Sequence, residues 1–299
     1  MLPLGPKILH LNSSAGAMGM SLFFALSGYL ITSNLMLGQG IYSFFVRRLT
    51  RILPLSYLYL AIVFLLVSYD PTMLPGNLLF VENYFDSLLN AWNAHFWSLC
   101  VEVHFYFAIG LAVALFGKRG IWTVLPACFA VTMLRVSAGA LIDIKTHLRV
   151  DEILAGASIA VLFHNGLLKY RLSNWWLAAA VIFWFLASSE IAGPVQYLRP
   201  YSSAALLAVV TCLNPGLALS ILESRPARYV AGISYALYVF HPATIHGWMN
   251  EGGVFERYIF KRPLSLALTF LLAHLSTFYW ESRWIDWGKS KTMRKAATA

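Results

Sequence analysis

Apolar residues run through this chain in long stretches, without the strict alternation of a half-exposed strand. A helix needs about 20 mostly apolar residues to cross the hydrocarbon core of a bilayer. Nine stretches are candidates: 18–37, 53–69, 96–116, 121–141, 151–168, 174–192, 201–221, 230–249 and 264–284. Backbone groups in lipid must be satisfied within their own segment, and none of the nine has the period of a barrel strand, so all are expected as helices. The expected fold class is all-α, a polytopic transmembrane helix bundle. It forms a single integral-membrane domain over 1–299, with no internal repeat, linker or appended soluble module.

Composition excludes the other broad classes. Hydrophobic residues make up 59 % of the 299 and charged residues 12 %, against about 45–50 % and about 25 % in soluble domains. A disordered, fibrous or ordinary soluble protein is therefore ruled out. The 15 % aromatic content suits Trp and Tyr gathered at membrane interfaces.

The net charge of +9 does not point to nucleic acid, because the basic residues sit in short loops between apolar runs. One set of loops holds thirteen Lys and Arg: Arg47, Arg48 and Arg51, Lys118 and Arg119, Lys169 and Arg171, Arg225 and Arg228, then Lys289, Lys291, Arg294 and Lys295. The alternating set holds six, and its segment 70–93 has none. The basic set is expected in the cytoplasm, with the C-terminal tail inside. Nine spans would then leave Met1 outside. Nothing before Met18 reads as a signal peptide, so either the short N-terminus crosses unaided or a further span precedes it. Cys100, Cys128 and Cys212 lie in apolar runs without a CxxC pair or metal spacing, and are expected as packing residues.

A charge at the centre of a spanning helix costs roughly 2.5–3.5 kcal/mol on insertion scales, so each one calls for a reason. Glu102 lies in AHFWSLCVEVHFY (94–106), with Ser98 and Tyr106 four residues to either side on the same face. It is either a protonated, packed carboxyl or a pathway or catalytic carboxylate. Arg47, Arg48 and Arg51 project together at a membrane entry. They serve as a topology signal with lipid contacts or as a clamp for a phosphorylated ligand, since Arg binds phosphate bidentately. In THLRVDEILAG (146–156), His147 and Asp151 are i,i+4 neighbours at a span's outer mouth, beside Arg149 and Glu152; a capped helix start with surface ion pairing is the alternative. In ISYALYVFHP (233–242), Ser234, Tyr238 and His241 form one polar stripe, read equally well as a hydrogen-bonded core stripe. His95, His104, His164, His246 and His274 share no ligand spacing and receive no role. No HExxH, GxSxG, P-loop or Rossmann fingerprint occurs.

Taken together, LFFALSGYLI (22–31), FVRRLTRILPLSY (45–57), HFWSLCVEVHFYF (95–107), THLRVDEILAGA (146–157), ISYALYVFHP (233–242) and Glu281 resemble acyltransferase family 3 of the membrane-bound O-acyltransferases. They occur in the family's order across nearly the whole chain. The resemblance implies a bundle of about ten helices that moves an acyl group, often acetyl, from cytoplasmic acyl-CoA to a hydroxyl of a glycan at the outer face. It implies a catalytic His on the first helix, matched by His10, with a basic residue about three turns before it. That partner would fall before Met1, and Lys7 is too close to replace it, so most of the first helix is expected to lie outside this chain. Arg48 and Arg51 match the family's RxxR element, associated with the acyl donor, and Glu102 matches its intramembrane glutamate.

A mechanism follows as expectation. His10 acts as general base toward the sugar hydroxyl, with Glu102 orienting its imidazole. Arg48 and Arg51 hold the CoA phosphates. Trp97, Ser98 and Tyr238 line the acyl channel or donate to the developing oxyanion, and Tyr106, Arg149, Asp151 and His241 are counted with the channel or substrate lining. No metal and no bound cofactor are expected; acyl-CoA, with acetyl-CoA as the expected donor, is a co-substrate. The expected partners are acyl-CoA, a polysaccharide or glycolipid acceptor and the lipid bilayer, with no nucleic acid, in a bacterial inner membrane. A proton-coupled transporter or exporter using Glu102 and His241 as relay, and an inactive truncated homologue, are the alternatives.

Overall fold

The computed structural model describes residues 11–67, 70–169 and 171–297; His10 lies outside them. Among these residues all regular structure is helical, apart from one isolated bridge between Leu172 and Leu213. In chain order the helices are α1 (Leu11–Met36), α2 (Ile41–Leu66), α3 (Leu74–Leu78), α4 (Trp97–Phe116), α5 (Val124–Ser137), α6 (Asp151–His164), α7 (Asn174–Ser188), α8 (Arg199–Thr211), α9 (Leu217–Leu222), α10 (Arg225–Phe240), α11 (Arg262–Leu275) and α12 (Ser282–Ala297).

The all-α expectation holds, and several helices are long and apolar enough to span a membrane. Among the described residues four stretches are long and apolar enough to cross a membrane: Ser13–Met36, Ile41–Leu66, Ala94–Ser137 and Glu256–Met293. The pair Asn174–Ser188 and Glu190–Thr211, bent by 114°, makes a fifth if counted as one span. At several of the expected spans the helix is shorter than expected. Helix α6 has 14 residues and α10 has 16, about 21 and 24 Å at 1.5 Å per residue, against a core of about 30 Å. Two others, 96–116 and 121–141, share the stretch Ala94–Ser137 and are joined by a reversal. Gly117 has φ +58°, and Gly120 lies so close to the Ala112 carbonyl that a Cβ would overlap it. On a straight helix those two residues would be about 12 Å apart.

The chain divides into two compact units. One comprises the chain up to Ile41 with Val101–Leu222, the other Tyr42–Cys100 with Glu223–Ala299. In the first unit α1 packs along α6, and α6 also packs on α5 and α8. Small residues set the α1–α6 crossing: a Cβ on Gly28 would overlap the Ile153 carbonyl, and one on Gly156 the Ala25 carbonyl. Glycine at both positions lets the two backbones touch, which is how helices gain packing where lipid supplies no hydrophobic drive between them. Helices α7 and α8 bury Ala180, Leu206, Val209 and Leu213 together, and the Trp184 Nε1–H donates to Ser21 Oγ of α1 at 2.9 Å.

In the second unit Pro54 sits inside α2 and offers no N–H to the preceding turn. Side chains from other elements donate to carbonyls nearby: Tyr235 to Ile52 at 2.7 Å and the Trp280 indole to Pro54 at 3.2 Å. Helices α10 and α11 pack together, and widened π turns flank α11 at Glu256–Lys261 and Ser276–Glu281. Gly288 of α12 lies against the Thr50 side chain of α2, where a Cβ would overlap it.

Gly156→Leu should destabilise the first unit by more than the ~1–3 kcal/mol typical of overpacking, because backbone rather than a flexible side chain is in the way. Gly19→Ala, at an exposed helical position with nothing within 4 Å of the added Cβ, should leave stability unchanged or slightly higher. Thermal unfolding of the detergent-solubilised protein checks both, and equal losses would refute the close crossing.

Candidate active site

Glu102 of α4 is 6 % exposed, and two hydroxyls converge on its Oε1. Tyr106, one turn along the same helix, donates at 2.8 Å, and Ser27 of α1 also donates to it. LFFALSGYLI and HFWSLCVEVHFYF, far apart in the chain, thus meet at one carboxylate. Tyr106 is where the sequence expectation put it. Ser27 carries no charge and lies in an apolar run, so nothing in the pattern singled it out. His104, two residues on from Glu102, is hydrogen-bonded to Thr146 at 2.7 Å, which ties α4 to the segment before α6.

That segment contains an extensive buried charge network. Arg135 of α5 pairs with Asp151 at 2.6 Å, Arg199 of α8 with Glu152 at 2.6 Å, and Arg149 with Glu152 at 3.4 Å. All five side chains are nearly or fully buried. Thr132 donates to Asp151 at 3.3 Å, and Tyr201 donates to Thr132 at 3.0 Å. The Leu141 carbonyl accepts from Arg135 at 3.0 Å and from Arg199 at 3.3 Å. The surface ion pairing offered as an alternative for Arg149 and Asp151 is therefore corrected: their charges are inside, and only His147 of that group is exposed. Arg135 and Arg199 were missed as site residues. The sequence does carry a signal for Arg135, a lone charge in the apolar run 121–141, whereas Arg199 falls between two apolar runs, where a cation is unremarkable.

In the second unit, Arg48 and Arg51 lie in the first half of α2, Arg48 half-buried and Arg51 exposed. Their neighbour Arg47 donates to Thr292 of α12 at 3.4 Å from both Nε and Nη2. The Glu281 carboxylate, held by Ser276 at 3.0 Å and Thr277 at 3.1 Å, lies within electrostatic reach of Arg51. Arg47 thus contacts α12, and Arg51 lies near the Glu281 carboxylate.

Trp97 and Ser98 open α4, Trp97 half-buried and Ser98 fully buried. The Ser98 hydroxyl lies 2.6 Å from that of Tyr238, which also donates to the His95 carbonyl. His241 Nδ1 is 2.6 Å from the Tyr238 carbonyl. The expected stripe of Ser234, Tyr238 and His241 is corrected at its first member. Ser234 is exposed and bonds within its own helix at 2.9 Å, and its neighbour Tyr235 is the buried one. Glu82, in the segment between α2 and α4, was also missed. It is fully buried, neither carboxyl oxygen has a hydrogen-bond partner among the described residues, and the Cys100 thiol lies near it. Burial pushes its carboxyl up to about 7. Among the described residues no group of His, Cys, Asp and Glu is arranged to hold a metal ion.

Residues 2–280 match the profile of a family described as the acyltransferase domain. The chain is 27 % identical over 325 residues to YrhL of Bacillus subtilis, whose name proposes peptidoglycan O-acetyltransferase activity, with 91 % of this chain and 51 % of that protein covered. It is 26 % identical to the peptidoglycan O-acetyltransferase OatA of Listeria monocytogenes, covering 89 % of this chain and 51 % of that one. To nodulation protein 10 of Rhizobium leguminosarum it is 24 % identical, covering 79 % and 75 %. The chain thus spans about half the length of the first two. No solved structure matches it.

Asp151→Asn should cost about 3–5 kcal/mol, because it leaves the Arg135 guanidinium buried without its counter-charge; an unchanged unfolding midpoint would show that the ion pair is not buried. Glu82 predicts a pH dependence. Its carboxyl binds a proton more tightly in the folded chain than in the unfolded one, so stability should fall as pH rises from about 4.5 to about 7 and level off above. Glu82→Gln should flatten that slope and unfold later than the parent at pH 8, which melting curves across the range would show.

Proposed function

The chain belongs to the acyltransferase domain family, and on that premise we propose that it is a membrane O-acetyltransferase. It takes an acetyl group from cytoplasmic acetyl-CoA and places it on a hydroxyl of a cell-surface glycan, with peptidoglycan the first acceptor to test. The family match over 2–280 carries this reading, supported by relatives named for peptidoglycan O-acetylation. A carboxylate held by two hydroxyl donors inside apolar helices adds chemical support.

The reaction needs the sugar oxygen to attack the thioester carbonyl. A sugar hydroxyl stays protonated at neutral pH, so a base must take its proton as the new C–O bond forms. His10 fills that role, because an imidazole accepts a proton near pH 7. Glu102 orients the ring and stabilises the imidazolium, as a carboxylate does in a Ser–His–Asp arrangement. The C–S bond then breaks, and the departing CoA thiolate takes up the proton from His10. Arg48 and Arg51 grip the CoA phosphates on the cytoplasmic side. Trp97, Ser98, Tyr106, Tyr238 and His241 line the path of the acyl group or its acceptor. Arg149 and Asp151 belong to the buried ion network of the first unit.

Membranes carrying the protein, incubated with labelled acetyl-CoA and cell-wall glycan, should transfer label to the glycan as a base-labile ester. His10→Ala should abolish transfer with expression retained. Glu102→Gln should lower kcat by about 10²-fold or more. Arg48→Ala and Arg51→Ala should each raise the KM for acetyl-CoA about ten- to a hundredfold, through loss of charge-assisted hydrogen bonds of about 1.5–3 kcal/mol, and leave the acceptor KM alone. Label that never reaches a glycan, or proton-coupled solute movement in its place, overturns the reading.

A further inference from the structure

We propose that His95 and His241, with the aromatic rings around them, form a subsite that grips the acceptor sugar. This deepens the acetyl-transfer reading and rests on it.

His95 lies in the helical turn Ala94–Phe96 that leads into α4. Both of its ring nitrogens are buried, and neither has a hydrogen-bond partner among the described residues. The Val239 carbonyl lies near the ring without meeting hydrogen-bond geometry. A neutral imidazole offers one N–H donor and one lone pair. Burying both unpaired forfeits the hydration of two polar atoms for no return, and a phenylalanine would fill the same space without that cost. An imidazole kept here calls for a partner that arrives from outside.

The hydroxyls around it are committed elsewhere. Tyr238 donates to the His95 main-chain carbonyl, and Tyr59 donates to the Trp92 carbonyl at 2.8 Å. Their rings wall the imidazole instead, with centroids at 5.3 Å for Tyr238, 5.6 Å for Tyr59 and 4.5 Å for Phe96. The His241 ring lies 5.2 Å from that of His95. Its Nδ1 faces the Tyr238 carbonyl at 2.6 Å. A carbonyl only accepts, so Nδ1 carries the proton and Nε2 of the neutral ring presents a lone pair.

The cluster therefore offers hydrogen-bonding ring nitrogens beside aromatic faces. A pyranose matches it, with hydroxyls for the nitrogens and a C–H face for the rings. A metal does not match, because His241 Nδ1 is already used and no metal-holding group exists among the described residues. The position within the second unit agrees. Tyr59 is eight residues beyond Arg51 on α2, and His241 is sixteen beyond Arg225, the start of α10. At 1.5 Å per residue these are about 12 and 24 Å from the arginines. With those arginines at the cytoplasmic face, the histidines sit toward the outer one, where a surface glycan arrives.

The test uses the full chain in lipid nanodiscs and a soluble β-1,4-linked N-acetylglucosamine oligomer as probe. The parent should bind the oligomer, and His95→Phe and His241→Phe should each weaken binding about tenfold or more, or at least 1.4 kcal/mol. In transfer assays both variants should raise the acceptor KM with kcat within about threefold, and leave acetyl-CoA affinity unchanged. His95→Phe should melt no lower than the parent, and His95→Gln, which keeps a donor and an acceptor, should recover part of the affinity. Absent oligomer binding by the parent, or parental affinity in both variants, overturns the subsite even while acetyl transfer stands. A parallel loss of acetyl-CoA affinity or melting temperature in His95→Phe and His95→Gln also overturns it, by marking His95 as structural. Failure of the parent to acetylate any glycan defeats the parent reading instead.

Discussion

Burying charge among apolar helices is tolerable only when each charge finds its opposite. The first unit is organised around that requirement. Three guanidinium groups and two carboxylates from α5, α6, α8 and the turn before α6 sit out of solvent, joined by two contacts of 2.6 Å and one of 3.4 Å. The Leu141 carbonyl, Thr132 and Tyr201 take up further hydrogen bonds. Ion pairs of this kind contribute little net stability compared with apolar packing, but losing one partner is costly. They therefore act as a positional lock: α6 can sit in only one register against α5 and α8.

Register in α6 matters because the same helix carries Gly156, and the Gly28–Gly156 crossing fixes α1 against it. Helix α1 in turn delivers Ser27 to Glu102. A chain of physical dependence runs from paired charges, through a close backbone crossing, to the hydrogen bonds on the Glu102 carboxylate. Gly28 lies next to Ser27, so the residue that sets the approach of α1 and the residue that uses it are adjacent in the sequence.

The second unit meets a different constraint, the proline in α2. Pro54 interrupts the hydrogen-bond ladder between the arginine-bearing half of the helix and the half that carries Tyr59. Donors from Tyr235 and Trp280 engage the backbone there. Arg47 bonds Thr292 and Arg51 lies within electrostatic reach of Glu281 at one end, and Tyr59 meets Trp92 and His95 at the other. One helix thus connects a cationic end, suited to phosphate, with an aromatic and imidazole end, suited to a sugar.

Hydrophobic runs and sparse charge were enough to determine the helical class and the membrane setting, because lipid leaves the backbone few alternatives. They also marked Glu102, since an isolated carboxylate in an apolar run is conspicuous on one-dimensional grounds. Span count was less legible: a run of apolar residues does not say whether it is one crossing helix, a 14-residue segment such as α6, or half of a hairpin turned at Gly117. Partnership between distant segments was not legible at all. Ser27 looks like any small residue, Arg199 like a loop cation, and His95 like one of eight scattered histidines. Only the fold pairs Arg199 with Glu152 and leaves the His95 ring nitrogens without a hydrogen-bond partner among the described residues. Hydrogen bonds and ion pairs act over a few ångströms in space, and distance along the chain carries no record of them.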